Sequence, residues 1–335
     1  MTAMRTRPLG RSDLLVSELA LGAMTFGMAD WGCDEATAVA LVDRFLDAGG
    51  NLIDTADVYL DSELIVGRAL AGRRDEVVLA TKVGLPDGPG PDDRGAGRAH
   101  IVRACESSLR RLQTDRIDLY WVHVDDEGTP LEETMAALDE LVREGKVLHI
   151  GASNYRAYRL MKALDISDRL GSARFIGFQG QYNLIVRTLE REHVRLFSDE
   201  GIGLVSWSPL AAGMLTGKVR PGVSDPGGSR LEQRDQPTDQ FRKNERGFVV
   251  AAMVREVASD LGCTPAQVAL AWQRTRPVAS VILGTRTLDQ LDDNLGSLGI
   301  DLPPAAVERL DAATALEPEY PGHFIDLLQG RLRAE

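Results

Sequence analysis

At 335 residues, with 44% hydrophobic and 26% charged side chains, the chain can bury a sizeable core and is long enough for one large barrel domain, expected over 1–335. A formal net charge of −12 argues against a general nucleic-acid binder, which needs a basic surface. Cys33, Cys105 and Cys263 are too scattered for a disulfide framework or a zinc ribbon, and no run suits a signal peptide or a membrane span, so a cytoplasmic protein is expected.

The opening stretch Arg5–Leu15, turning at Gly10-Arg-Ser-Asp13, reads as a small hairpin. Short apolar runs then alternate with segments of helical spacing. Strands are expected at Leu19–Gly22, Leu52–Asp54, Val77–Lys82, Ile117–His123, Val147–Gly151, Phe175–Gln179, Gly203–Trp207 and Val281–Leu283. Helices are expected at Glu35–Ala48, Ile101–Leu112, Leu131–Glu144, Ala157–Ile166, Leu189–Ser198, Val249–Leu261 and Leu288–Leu298. Eight strands in this rhythm predict an α/β fold, the (β/α)8 TIM barrel. Two long connections, Gly84–Arg98 and Ala211–Arg246, would leave its C-terminal face, where barrel enzymes keep substrate and cofactor loops.

Four polar residues sit at or just past the carboxyl ends of these runs: Asp54, Tyr59, Lys82 and His123. Strand ends converge on one face of a parallel barrel, so the four could share a pocket. A phenol with a pKa near ~10 is a poor acid at neutral pH, and a nearby cation such as Lys82 favours its phenolate. A buried lysine needs a counter-ion, which Asp54 supplies, while His123 can hydrogen-bond a substrate oxygen. The set delivers a proton.

Several motifs carry a specific likeness: Asn51-Leu-Ile-Asp-Thr-Ala-Asp-Val-Tyr59, Ala80-Thr-Lys-Val-Gly84, Gly145-Lys-Val-Leu-His-Ile-Gly-Ala-Ser-Asn154, Gln181-Tyr-Asn-Leu184 and Ser208-Pro-Leu-Ala-Ala-Gly-Met-Leu215. Through them the chain resembles an aldo-keto reductase over nearly its whole length. That resemblance implies a catalytic tetrad of Asp54, Tyr59, Lys82 and His123, with Tyr59 as proton donor beside a nicotinamide hydride. It also implies that the hairpin plugs the barrel floor.

By the same resemblance, Ser153, Asn154 and Gln179 contact the nicotinamide carboxamide and Trp207 stacks on its ring. Ser208, Leu210 and Gly213 match the loop that crosses the pyrophosphate. Gly284 and Arg286, just before a helix, would meet phosphate or ribose, and Gln290 and Asn294 the adenine. Met24 joins the cofactor contacts and lines the pocket with Phe26, Trp31 and Trp121. Lys218 and Arg230 resemble the pair that grips a 2′-phosphate in the potassium-channel β-subunit branch, which favours NADP(H) over NAD(H).

The resemblance breaks after Tyr59, where Leu60-Asp-Ser-Glu63 follows at once in place of a longer glycine-bearing loop. The expected activity is reversible NADPH-dependent reduction of a small-molecule aldehyde, ketone or sugar-derived carbonyl. Because His123 is not glutamate, carbonyl reduction is expected over reduction of a C=C bond. The alternative is an NADP(H)-binding regulatory or sensor protein with slow turnover. No metal is expected, since the five histidines show no close pairing, and oligomeric state stays open.

Overall fold

A computed structural model describes residues 4–28, 30–219 and 245–332. Two short strands, β1 (Thr6–Pro8) and β2 (Leu15–Ser17), form an antiparallel hairpin. The next eight strands are β3 (Leu19–Gly22), β4 (Leu52–Asp54), β5 (Val78–Val83), β6 (Ile117–Val122), β7 (Val147–Ser153), β8 (Phe175–Gln181), β9 (Gly203–Trp207) and β10 (Val278–Gly284). They pair in parallel, each with its sequence neighbour, and β10 closes onto β3 to make the (β/α)8 barrel.

The expected helices appear as α1 (Glu35–Asp47), α3 (Arg98–Leu112), α4 (Leu131–Arg143), α5 (Ala157–Leu170), α6 (His193–Glu200), α7 (Glu245–Leu261) and α9 (Leu288–Gly296). Four more lie outside the sequence expectation: α2 (Ser62–Ala69), α8 (Pro265–Arg274), α10 (Pro304–Thr314) and α11 (Gly322–Leu332). The helix expected over Leu189–Ser198 is in fact two pieces, a 3₁₀ turn at Thr188–Glu190 followed by α6. α8 carries a full start signal, with Thr264 and Gln267 forming a capping box and Pro265 in the first turn.

Two apolar layers explain the register. Between strands and helices lies a large cluster that includes Ile53, Leu79, Tyr120, Val122 and Phe178. Inside the barrel a smaller cluster joins Leu52, Val78, Ala80, Leu119, Trp121 and Val205 to Leu9 and Val16 of the hairpin. The hairpin therefore fills the barrel floor. Trp121 fits only because its neighbours lack side chains: a Cβ on Gly151 would lie 2.3 Å from the indole, and one on Gly177 3.1 Å.

Strand side chains alternate between the two layers. With Leu52, Ala80, Trp121 and Val205 inward, Asp54, Lys82, His123 and Trp207 fall on the same parity, one step nearer the carboxyl end. Alternation thus converts four scattered positions into one polar rim above an apolar lumen.

Candidate active site

Lys82 is 1% exposed and paired on two sides. Its Nζ donates to Asp54 Oδ1 and, at 2.8 Å, to the carbonyl of Thr55. It also lies 4.8 Å from the centroid of the Tyr59 ring. Burial is the largest influence on Lys82 and works to lower its pKa, but the Asp54 carboxylate and then the Tyr59 phenol outweigh it, leaving the pKa above the ordinary lysine value. Lys82 is a buried cation.

The second oxygen of Asp54 accepts from Gln179 Nε2 at 2.7 Å. Gln179, expected from the sequence only as a carboxamide contact, is therefore also what orients the counter-ion of Lys82. Ser153 Oγ donates to the Gln179 carbonyl at 2.9 Å, and Asn154 Nδ2 donates to Ser153 Oγ at 2.9 Å and to the carbonyl of His123 at 2.8 Å. Asn154 adopts a left-handed φ of +55°, which asparagine tolerates better than most residues. A continuous hydrogen-bonded chain thus runs from Asn154 through Ser153, Gln179 and Asp54 to Lys82.

His123 meets Tyr59 edge to face, with ring centroids 5.8 Å apart and planes at 82°. Burial, reinforced by the charge on Lys82, lowers its pKa to about 3. The imidazole is neutral near pH 7, and its buried Nδ1 has no hydrogen-bond partner among the described residues. A neutral ring still carries one N–H donor, so it can hold an oxygen without adding a second positive charge.

Beyond β9 the chain turns sharply, with left-handed φ values at Ser208 (+57°), Ala211 (+49°) and Ala212 (+53°) and a φ of +100° at Gly213. Asn183 Nδ2 holds the Ser208 carbonyl at 2.9 Å. A Cβ built on Gly213 or Gly284 would meet nothing within 4 Å, so backbone on both sides of this rim faces open space. Thr287 caps α9, and Gln290 Oε1 accepts from the Arg286 backbone N–H at 3.0 Å, so Gln290 helps to shape the helix start. Asn294 is buried one turn later, while Leu210 and Met24 are half-buried. These surroundings suit a phosphate-bearing ligand: open backbone at two glycines and a helix amino terminus with its dipole.

Arg286 is half-buried and Lys218 exposed, and neither forms an ion pair with a described residue. Arg230 lies outside the described residues. The short loop after Tyr59 has a visible consequence: Leu60 is forced to a left-handed φ of +48° and is 67% exposed, directly ahead of α2.

The Aldo/keto reductase family model matches residues 18–315. The chain belongs to the aldo/keto reductase family. It is 38% identical to "Uncharacterized oxidoreductase YrpG" of Bacillus subtilis, over 90% of this chain and 94% of that protein. It is 34% identical to "Probable voltage-gated potassium channel subunit beta" of Arabidopsis thaliana, over 96% of this chain and all of that protein. "Versiconal hemiacetal acetate reductase" of Aspergillus parasiticus is 33% identical over 94% of this chain and 98% of its own. An aldo/keto reductase barrel of this kind is an oxidoreductase acting on carbonyls. Among the described residues, no helix is long and apolar enough to cross a membrane.

Proposed function

We propose that this aldo/keto reductase reduces a small-molecule aldehyde, ketone or sugar-derived carbonyl with NADPH, and that Tyr59 is its general acid. The observation that carries this reading is the buried Lys82 cation, held by Asp54 beside the Tyr59 ring. A cation there stabilises the phenolate that remains once the phenol has given its proton to the substrate oxygen. His123, neutral and edge-on to Tyr59, orients that oxygen and donates to it as negative charge develops. Gln179 and Thr55 keep the Lys82–Asp54 pair in register.

Ser153, Asn154 and Gln179 would hold the nicotinamide carboxamide and Trp207 its ring, with Ser208, Leu210 and Gly213 along the pyrophosphate. Gly284, Arg286, Gln290 and Asn294 would take the adenosine end. When bound, the nicotinamide supplies the hydride. Lys218 and Arg286, which form no ion pair with a described residue, support NADPH over NADH, because a 2′-phosphate needs a cationic partner on an acidic protein.

NADPH consumption against a panel of aldehydes, diketones and keto-sugars, with NADH in parallel, tests the reading. Turnover of at least one carbonyl class with NADPH preferred is the expected result, and NADPH binding without turnover of any carbonyl would overturn it. That second outcome would support a cofactor-binding sensor subunit, the alternative in keeping with a relative named as a probable potassium-channel β-subunit.

A further inference from the structure

Asp57 lies between Asp54 and Tyr59 in sequence but has no part in the chain of hydrogen bonds described above. It is 9% exposed, and apart from the adjacent backbone N–H of Val58 its carboxylate oxygens have no hydrogen-bond partner among the described residues. A buried carboxylate so poorly partnered is costly and calls for a ligand or a role. Facing it is His100, in the first turn of α3 and 1% exposed.

His100 Nδ1 lies 2.8 Å from the carbonyl of Gly95, and a carbonyl can only accept, so the ring proton resides on Nδ1. In the neutral ring Nε2 then presents a lone pair, and it too is buried without a hydrogen-bond partner among the described residues. This is the arrangement of a metal-binding histidine whose other nitrogen is fixed by a backbone carbonyl. Asp87, in the loop after β5, brings Oδ1 to 3.4 Å from His100 Nε2. One ligand atom from each of Asp57, Asp87 and His100 lies within 4.8 Å of the others. A tetrahedral ion with bonds of about 2.0–2.2 Å has ligand-to-ligand edges of roughly 3.3–3.6 Å, so the histidine–aspartate edge already matches.

The charge balance points the same way. Four acidic side chains, Asp57, Glu63, Asp87 and Asp93, face two arginines, Arg103 and Arg111, and a divalent cation bound among them would offset the acidic excess. Arg103 grips both Asp87 and Asp93, so Asp87 can turn toward an ion while Arg103 keeps a partner. Asp87 sits in an exposed loop with its side chain still 12% exposed, which gives a route in from solvent.

We propose that Asp57, Asp87 and His100 form a divalent-cation site that selects Zn2+ and similar first-row ions over Mg2+ and Ca2+, because one of its three ligands is an imidazole. The ion would fasten the Gly84–Gly97 loop to the segment that carries Tyr59. The inference stands independently of the carbonyl chemistry proposed above. It escapes a sequence search for paired histidines, because its ligands come from three separate segments and include only one histidine.

The test uses the full-length untagged protein, stripped with chelator and titrated with Zn2+ by calorimetry, with bound metal counted by elemental analysis and Mg2+ and Ca2+ run as controls. Zn2+ should bind at one equivalent more in wild type than in Asp57→Asn or His100→Gln, with the variants weakened by at least ~10-fold. Zn2+ should also raise the melting temperature of wild type and not that of Asp57→Asn. Circular dichroism checks that the variants fold, and if His100→Gln does not, the near-isosteric Asp57→Asn decides alone. Wild type that binds no Zn2+, or variants that bind it as tightly as wild type, would overturn the proposal.

Discussion

Replacing Asp54 by asparagine probes the central physical claim, that a buried lysine stays charged because one carboxylate holds it. The substitution keeps the shape but removes the charge. Lys82 Nζ and Gln179 Nε2 both donate to this side chain, one to each oxygen, and asparagine offers only one oxygen. One donor must then face an amide NH2, and a buried donor left unsatisfied costs about 1–3 kcal/mol. Loss of the counter-ion dominates: breaking a buried pair by removing one partner costs about 3–5 kcal/mol. The Thr55 carbonyl at 2.8 Å remains as an acceptor for Lys82 and does not replace a negative charge. The pH dependence carries the sharper signature. In wild type the raised pKa of Lys82 gives stability that is fully present below the unfolded value near ~10.4 and is lost only as pH rises through the still higher folded value. In Asp54→Asn burial is no longer outweighed, so the folded pKa should drop below the unfolded one and the penalty should shrink as pH rises toward ~10.4. Urea unfolding followed by tryptophan fluorescence at pH 7 and 9 measures both, with the buried Trp121 as a reporter in the same lumen. A loss under ~1 kcal/mol with the pH slope of wild type would refute the reasoning.

Tyr59→Phe should leave NADPH affinity nearly intact and remove most turnover, about 10²–10⁴-fold, since only proton transfer is lost; steady-state kinetics beside a fluorescence titration separates the two. Retained turnover within a small factor would rule Tyr59 out as the acid. His123 has its folded pKa lowered to about 3, so the unfolded chain takes up its proton first and stability falls as pH drops from ~6.5 toward that value. His193 and His149 are lowered as well, so the check is a difference: His123→Gln should flatten the acid side of the stability profile relative to wild type, and identical profiles would contradict the assigned charge state. Changing Lys218 and Arg230 together to alanine should weaken NADPH by about 1.5–3 kcal/mol per lost charge-assisted contact and leave NADH almost unchanged. Equal losses for both cofactors would move the 2′-phosphate contact to Arg286.

The barrel was legible because parallel strands buried on both faces read as short apolar runs, and all eight were found from those runs. Their ends were less so. β10 begins three residues before the run Val281–Leu283, since Val278 and Ser280 pair with β9 across a register irregularity that leaves no mark in local composition. α2 was missed because its start, Asp61-Ser-Glu63, reads as a continuation of the loop after Tyr59, and its cap makes no side-chain hydrogen bond. α8 carries its signal in the helix-start signature Thr264-Pro-Ala-Gln267, and its apolar spacing alone does not set it apart from the end of α7.

The candidate site divides along the same physical line. Asp54, Lys82 and His123 were visible one by one, because each ends a run and strand alternation then fixes the way it points. Relations between side chains on different strands were not visible. Gln179 reaches Asp54 across 125 positions of sequence, and only barrel closure brings β8 against the side chain of β4. Spacing encodes a site only where one element supplies it. Where the turn after a strand, a loop and the next helix each give one group, as with Asp57, Asp87 and His100, the sequence holds three ordinary polar residues, and the closeness of the three, with Asp57 and His100 Nε2 short of partners among the described residues, exists only in the fold.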